Sequence, residues 1–239
     1  MKQGTGLSAI TPQSTSVRIA DQLRESIIDG YFAPGDQINE AQVASQLNVS
    51  RGPVREALQR LSQEGLLVSK PNRGVFVVEL EEKDVDEIYG VREILELGAA
   101  EIILAQPDGR RHEVSASLME VAAQLTAALE EADWKKVSKL DLAFHTLLVA
   151  AANNSRLLRA YRTLATESLI CMNNIEEAYP TPSTLSHDHV NMARLIAEGT
   201  MMEIHAAFHT HLSAAEDHVA ASLEARAHHH GPLSATAGN

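Results

Sequence analysis

Apolar residues recur at helical spacing in three stretches near the start of the chain. The spacing predicts helices over residues 16–28, 40–47 and 50–64. Gly30 and Gly65, which follow the first and the third stretch, end the pattern. Two short runs with strand character come next, at 66–69 and 75–78, joined by a Lys-Pro-Asn-Arg-Gly loop. Three helices followed by a hairpin predict a winged helix-turn-helix over residues 15–80, preceded by a flexible arm at residues 1–14.

From residue 83 onward, helical periodicity is almost continuous. It predicts helices over residues 83–105, 112–132, 134–152, 155–178, 185–198 and 200–226. The chain is therefore expected to be mainly α, with the winged helix-turn-helix followed by an all-helical antiparallel bundle of six or seven helices at residues 83–226. Residues 227–239, which include three adjacent histidines, are expected to form a disordered tail.

The net charge of −12 is unevenly distributed along the chain. Residues 1–79 hold eight basic and eight acidic side chains, whereas residues 80–239 hold 12 and 24. A neutral domain can still bind DNA if its cations lie on one face. Cys171 is the single cysteine, and the sequence has neither an apolar run of membrane-spanning length nor the apolar stretch of a signal peptide. These features favour a cytoplasmic protein with no membrane partner.

The third predicted helix begins with residues suited to contact DNA. Ser50 can cap this helix, and Pro53 is tolerated because it lies in the first turn. Arg51 and Arg55 share one face near the helix N-terminus, where cations oppose the helix dipole. Arginine binds phosphate oxygens or a guanine edge with its planar fork. The alternative is that both arginines pair with nearby acids, such as Glu40 or Glu56.

The predicted wing also carries a cation beside a glycine. Arg73 precedes Gly74 at the end of the hairpin loop. Because glycine lets the backbone approach a partner closely, this pair suits contact with a phosphate or the minor groove.

The first helix of the predicted bundle has a charged residue on its inward face. Its apolar stripe is predicted to consist of Val85, Ile88, Leu95, Ala99 and Ile102, and Arg92 lies within it. A buried guanidinium needs an anionic partner. Arg92 could pair with an internal carboxylate, extend to the surface, or receive the carboxylate of a ligand, and the spacing alone does not decide among these.

A carboxylate and an imidazole also face the predicted interior of the bundle. Asp141 and His145 are four residues apart and share a face with Phe144 and Leu148. They could form a simple hydrogen bond, or they could be two ligands of a metal. Several later histidines could complete such a site, and helical periodicity does not choose among them: His187, His189, His205, His209, His211 and His218.

The N-terminal motifs resemble the DNA-binding domain of GntR-family regulators. The motifs that carry the resemblance, within residues 17–80, are Gly-Tyr-Phe-Ala-Pro-Gly (30–35), Val-Ser-Arg-Gly-Pro-Val-Arg-Glu-Ala-Leu (49–58), Glu-Gly-Leu (64–66) and Arg-Gly-Val-Phe-Val (73–77). In that family, the residues that match Arg51, Arg55 and Gly74 contact DNA. The chain departs from the FadR-like pattern at Ala41, where some members have a DNA-contacting arginine.

The second part, residues 83–223, is similar to the FCD sensor domain of the FadR-like subgroup. The motifs are Val91-Arg92, Leu95-Glu96, Asp141, Phe144-His145, Asn154, Asp188-His189 and His211-Leu212. The resemblance implies a divalent cation held by Asp141, His145, His189 and His211, and a ligand carboxylate at Arg92. Such a donor set suits zinc first, then nickel or manganese. Asp188 stands where glutamate is commoner in the family.

Together these features predict a homodimeric transcription regulator, and a repressor rather than an activator. It is expected to bind a near-palindromic double-stranded DNA operator and to respond to a small organic acid. One alternative is a regulator whose metal is purely structural. A metal-dependent enzyme is a third hypothesis, which the lack of an obvious general base beside the four ligands disfavours.

Overall fold

A computed structural model describes residues 14–171 and 182–229, with the side chains of 182 and 225–229 left out. Over these residues the chain forms nine helices and three strands. In chain order they are α1 (Thr15–Ile28), β1 (Gln37–Ile38), α2 (Glu40–Gln46), α3 (Arg51–Gln63), β2 (Leu67–Lys70), β3 (Gly74–Val77), α4 (Glu82–Leu104), α5 (Asp108–Glu130), α6 (Trp134–Ala151), α7 (Ser155–Cys171), α8 (Pro182–Glu198) and α9 (Met201–His229). Within the described residues, none of these helices has the length and apolarity needed to span a bilayer. The predicted arm at 1–13, the end of the predicted 155–178 helix and the tail beyond 229 lie outside the described residues.

The N-terminal domain packs its helices and a small sheet around one core. The buried stripe of α3 consists of Val54, Ala57, Leu58 and Leu61, as its periodicity predicts. The sheet order is β1-β3-β2, and both pairings are antiparallel. The sequence pattern did not reveal β1, because two residues are too few to display the alternation of a strand. The domain is a winged helix-turn-helix with the wing formed by β2 and β3.

The six described helices α4–α9 form the all-helical second domain. Its main core joins α4, α5, α6, α7, α8 and α9 around the fully buried Phe144, Leu148 and Phe208. Helix α5 begins at Asp108, four residues before the predicted start, and the carboxylate of Asp108 in its first turn is favourable beside the helix N-terminus. Helix α9 continues to His229, three residues past its predicted end.

The inward face of α4 differs from the predicted stripe. Leu95 is only partly buried and Ile102 is exposed, whereas Glu96 and Ile103 are fully buried. The stripe is therefore rotated by about one position in the second half of the helix. As a consequence, the interior of this domain contains a carboxylate that the predicted stripe did not include.

The two domains contact each other through the first helix of the N-terminal domain, the turn after α3, and helices α6 and α7. Ile170 of α7 is buried in the same apolar cluster as the core of the winged helix-turn-helix. Glu167, one turn earlier, lies against Gly65, which has a φ of +80°. On α6, the ammonium of Lys139 lies 3.4 Å from the carboxylate of Asp29 at the end of α1. Helix α7 therefore belongs structurally to both domains.

Candidate metal centre and nucleic-acid interface

Four side chains with metal-binding atoms meet inside the helical domain. Helix α6 supplies Asp141 and His145, α8 supplies His189 and α9 supplies His211. All four are buried, and one ligand atom from each lies within 4.8 Å of the others. The structure thus brings together the donor set that the family resemblance implied, although helical periodicity could not select it.

The hydrogen bonds of two histidines orient their rings toward this cluster. Nδ1 of His145 lies 2.7 Å from Oε2 of Glu96, and Nδ1 of His189 lies 2.8 Å from the carbonyl oxygen of Leu185. Among the described residues, Nε2 of both rings is buried without a hydrogen-bond partner. A histidine that donates through one nitrogen offers the other to a metal, as is usual for metal-ligating histidines.

The remaining contacts of the cluster also suit a cation. Nε2 of His189 comes within 3.1 Å of Oδ1 of Asp141, a close approach that two ligands of a common ion make. Burial raises the pKa of Asp141, but the hydrogen-bond interaction and charge of His189, with His145 and His211, outweigh it and hold the pKa below its usual value. Burial lowers the pKa of His211 to about 4. A carboxylate and an imidazole whose proton is easily lost suit a divalent metal, because metal ligands must be deprotonated.

An acid from the neighbouring helix lies near the ring of His211. Its Nδ1 lies 3.6 Å from Oδ2 of Asp188, a residue that is partly exposed and also lies 3.7 Å from exposed His187. Asp188 directly precedes His189 in α8. The aspartate that departs from the family pattern therefore approaches the ring of His211 as an ion-pair neighbour, at a distance longer than a hydrogen bond. Asp188 itself is not among the four clustered donors.

A buried ion pair adjoins the metal-type cluster. Nε of Arg92 lies 3.1 Å from Oε1 of Glu96, and the hydroxyl of Tyr161 donates to the same oxygen at 2.8 Å. The guanidinium also lies over the ring of Tyr89, 5.1 Å from its centroid. Within the described part of the chain, Nη2 of Arg92 is buried without a partner. Arg92 therefore has an internal carboxylate, one of the alternatives left open by the spacing, and it keeps one donor for another acceptor.

The charge state of Glu96 follows from its neighbours. Burial raises the pKa of this carboxyl, but the charges of His145 and Arg92 lower it more, to about 2. Burial raises the pKa of Tyr161 well above its usual value, so its hydroxyl stays protonated as a donor. Arg92, Glu96, Tyr161 and His145 thus form one buried hydrogen-bonded network that ends at a candidate metal ligand.

Sequence reasoning assigned no role to Glu96 and did not single out Tyr161. The available signal for Glu96 was its position four residues after Arg92, which is the spacing of a helical ion pair. The predicted stripe of α4 hid this signal because it placed Leu95 inward instead. Tyr161 gave no signal in the sequence, because its partner lies 65 residues away on another helix.

The N-terminal end of α3 is exposed on the surface of the first domain. Arg51, Pro53 and Ser50 all lie there, and Ser50 occupies the N-cap position without a side-chain cap bond, so the predicted cap is not formed. Arg55 is 72% exposed and pairs with Glu40 at 2.9 Å and 3.1 Å. The pairing that stood as the alternative for Arg55 is therefore present, on a side chain that remains largely in solvent.

The wing loop is shaped by two residues with positive φ. Asn72, in the tight turn between β2 and β3, has a φ of 58°, and Gly74, the first residue of β3, has a φ of 105°. The carbonyl of exposed Arg73 accepts a hydrogen bond from the side-chain amide of Gln37 on β1 at 2.7 Å. A Cβ at Gly74 would lie 2.7 Å from that amide nitrogen, so the glycine permits this bond. The strand missed by the sequence pattern therefore supports the wing.

These features define a two-domain helix-turn-helix protein whose second domain is an α-helical bundle with a buried metal-type donor set. The model of "Bacterial regulatory proteins, gntR family" matches residues 15–77, and the model of the "FCD domain" matches residues 87–214, more than half of the chain. The chain belongs to the GntR family of bacterial regulatory proteins and carries an FCD domain.

Known relatives agree with this assignment. The chain is 34% identical over 147 residues to an uncharacterized HTH-type transcriptional regulator, YdhC, of Bacillus subtilis (strain 168), covering 61% of this chain and 64% of that protein, which is less than two thirds. It is 30% identical to a protein of Paenarthrobacter nicotinovorans named "Probable D-xylose utilization operon transcriptional repressor", over 96% of this chain and 98% of the relative. A GntR transcriptional regulator of Rhodococcus sp. RHA1 has a similar structure, with a TM-score of 0.74, 26% identity, and coverage of 88% of this chain and 99% of that one.

Proposed function

We propose that the protein is a cytoplasmic, homodimeric transcription regulator whose FCD domain binds a divalent metal and a small carboxylate effector. The winged helix-turn-helix would bind a near-palindromic double-stranded DNA operator, one half-site for each protomer. The observation that carries this proposal is the buried Asp/His₃ set beside an arginine with a free donor, in a domain packed against a DNA-binding fold. Repression relieved by the effector is the proposed direction, and a relative named a probable transcriptional repressor supports the repressor role.

Asp141, His145, His189 and His211 would hold the metal, which suits their donor chemistry. When bound, the cation would offer open positions to a ligand oxygen and would neutralise part of its charge. Zinc is the first choice for this donor set, with nickel and manganese next. Arg92 would bind the effector carboxylate through Nη2, because a buried guanidinium donor without an acceptor is costly and an anion would satisfy it.

Ser50, Arg51, Pro53 and Arg55 would face the operator from α3, and Arg73 and Gly74 would do so from the wing. Exposed arginines at the N-terminal end of a helix suit contacts with phosphates and guanine edges. Binding would move Arg55 from Glu40 to DNA. The exposure of Arg55 supports this exchange, since a solvent-exposed ion pair is weak and easily replaced.

The test combines operator binding with metal and acid titrations. The operator is first selected by the protein itself from a pool of random duplexes, and its affinity is then measured by fluorescence anisotropy. Protein stripped with EDTA and protein reloaded with zinc are each titrated with acetate, succinate and citrate. The expected result is that at least one acid weakens operator binding by the zinc-loaded protein, and that this response is lost in the stripped protein and in Arg92→Gln.

Three other results would overturn the proposal in distinct ways. If stripping unfolds the FCD domain and none of the acids changes operator affinity, the metal is purely structural. Consumption of an acid by the zinc-loaded protein would indicate an enzyme. If the random pool yields no duplex that binds more tightly than bulk DNA, the operator model fails. Light scattering of the free protein tests the proposed homodimer in the same preparation.

A further inference from the structure

The Glu96 carboxylate contacts both parts of the proposed effector site, the metal half (the Asp/His₃ cluster) and the arginine half (Arg92). Its Oε2 faces Nδ1 of His145 at 2.7 Å, and its Oε1 accepts hydrogen bonds from Arg92 and Tyr161. Glu96, His145 and Tyr161 are fully buried, and Arg92 is almost so. Water therefore cannot replace any of these bonds without opening the core.

We infer that Glu96 is a positioning residue: it fixes the tautomer in which His145 offers Nε2 to the metal, with the same carboxylate that holds Arg92. The inference rests on the proposed function, because it concerns the same site. An ionised carboxylate only accepts hydrogen bonds, so Nδ1 of His145 must carry the hydrogen. Nε2 then carries none in the neutral ring and is left as a metal-binding lone pair.

The contact of Glu96 with Arg92 constrains the carboxylate in turn. Arg92 uses its Nε edge for this contact, and the Tyr161 hydroxyl binds the same oxygen. Two donors on Oε1 hold the carboxylate so that Oε2 remains directed at His145. The metal half and the arginine half of the site are thus linked through one side chain without a direct bond between them.

Replacement of Glu96 by glutamine changes the hydrogen-bonding capacity of the side chain while nearly keeping its volume. The amide has nearly the same volume but only one acceptor oxygen, and its nitrogen donates. The position of Oε1 receives two donors, the charged guanidinium of Arg92 and the hydroxyl of Tyr161. The amide oxygen should therefore occupy that position, and the amide N–H₂ should face His145. His145 would then accept through Nδ1 and carry its hydrogen on Nε2, the atom that faces the metal site.

The experiment follows the tautomer and the metal separately in full-length protein. Long-range ¹⁵N NMR of histidine-labelled, EDTA-stripped protein reports which ring nitrogen carries hydrogen, with the His145 signal assigned by its loss in His145→Gln. We expect the Nδ1–H form in wild type and the Nε2–H form in Glu96→Gln. Zinc affinity, measured by competition with a chelating dye, should fall about 10–100-fold in Glu96→Gln, the usual cost of losing an outer hydrogen-bond partner. Tyr161→Phe, which removes one donor but keeps the carboxylate, should retain the wild-type tautomer.

The inference is overturned if Glu96→Gln keeps the Nδ1–H tautomer and a zinc affinity close to that of wild type while Asp141→Asn has lost zinc binding. If wild-type protein bound no zinc at all, the proposed function would fail, yet the tautomer comparison would still decide the role of Glu96. Should Glu96→Gln not fold, Glu96→Asp provides the same readouts. Its shorter side chain keeps the charge but cannot span both partners, so wild-type values in that variant would also overturn the inference.

Discussion

The contact between the two domains at Gly65 can be tested by adding a single methyl group. Gly65 follows the recognition helix α3 directly, and its φ is +80°. A Cβ at this position would lie 2.6 Å from Oε1 and 2.9 Å from Cγ of Glu167 on α7. Gly65→Ala should therefore strain the backbone and also force the Glu167 side chain out of its position.

A second glycine provides the matched control. Gly30 has a φ of +75°, and within the described residues nothing lies within 4 Å of its Cβ position. Gly30→Ala should therefore cost only the left-handed backbone conformation, about 1–2 kcal/mol. Gly65→Ala should carry the same cost plus about 0.5–1.5 kcal/mol for the displaced Glu167 side chain. In a chain of this size each kcal/mol corresponds to about 2–4 °C in Tm, so the two variants are readily separated.

The assay is urea unfolding followed by circular dichroism, with Glu167→Ala and the Gly65→Ala/Glu167→Ala double variant completing a mutant cycle. Removal of the Glu167 side chain should bring the Gly65→Ala penalty back to that of Gly30→Ala. Equal destabilisation by Gly65→Ala and Gly30→Ala, with no coupling in the cycle, would refute the contact between α7 and the turn after α3. Such a result would leave the structure of each domain unaffected.

Three further predictions concern DNA, metal and acid. Arg51→Ala should weaken DNA binding and reduce the slope of log affinity against log salt by about 0.9, whereas Arg60→Ala, on the opposite side of α3, should leave the slope unchanged, as measured by anisotropy at several salt concentrations. Zinc at 100 times its Kd should add about 2.7 kcal/mol to the stability of stripped protein in thermal unfolding, and Asp141→Asn should abolish this gain. The pKa of Glu96 is lowered from 4.5 to about 2, so its contribution to stability is present above pH 4.5 and is lost as the pH falls toward 2. Acid unfolding followed by circular dichroism should accordingly be less steep in Glu96→Gln than in wild type over that range. An unchanged salt slope in Arg51→Ala, a zinc gain that survives Asp141→Asn, or parallel acid profiles would contradict the respective argument.

The architecture could be predicted largely from the sequence, because apolar periodicity encodes which face of a helix is buried. The stripe Val54, Ala57, Leu58 and Leu61 of α3 is an example. The prediction was wrong where two neighbouring apolar positions compete for the interior. In α4 this holds for Ile102 and Ile103. Leu95 was favoured over the charged Glu96 because it is apolar, yet the packing of α6 and α7 against α4 placed Glu96 inward.

The site could be predicted only in part, because periodicity gives a face and not a partner. Asp141 and His145 stood out as polar residues on an apolar face, and both are buried. For α9, however, His205 and His211 flanked the apolar stripe equally, and only the tertiary arrangement buries His211 and leaves His205 exposed. The buried partner of Arg92 is one turn away in sequence, whereas Tyr161 comes from a distant helix that no local pattern could connect to it.

The burial of Ile170 limits how freely the two halves of this protein could be exchanged with those of its relatives. A winged helix-turn-helix cut after Leu80 would lose an apolar side chain that its own core surrounds, and would expose the surface beneath it. A chimera that grafts a different FCD domain onto residues 15–80 should therefore need an apolar residue at the position of Ile170. Recombination of such regulators, by evolution or in the laboratory, would then be constrained at a residue of the FCD domain that lies outside the winged helix-turn-helix.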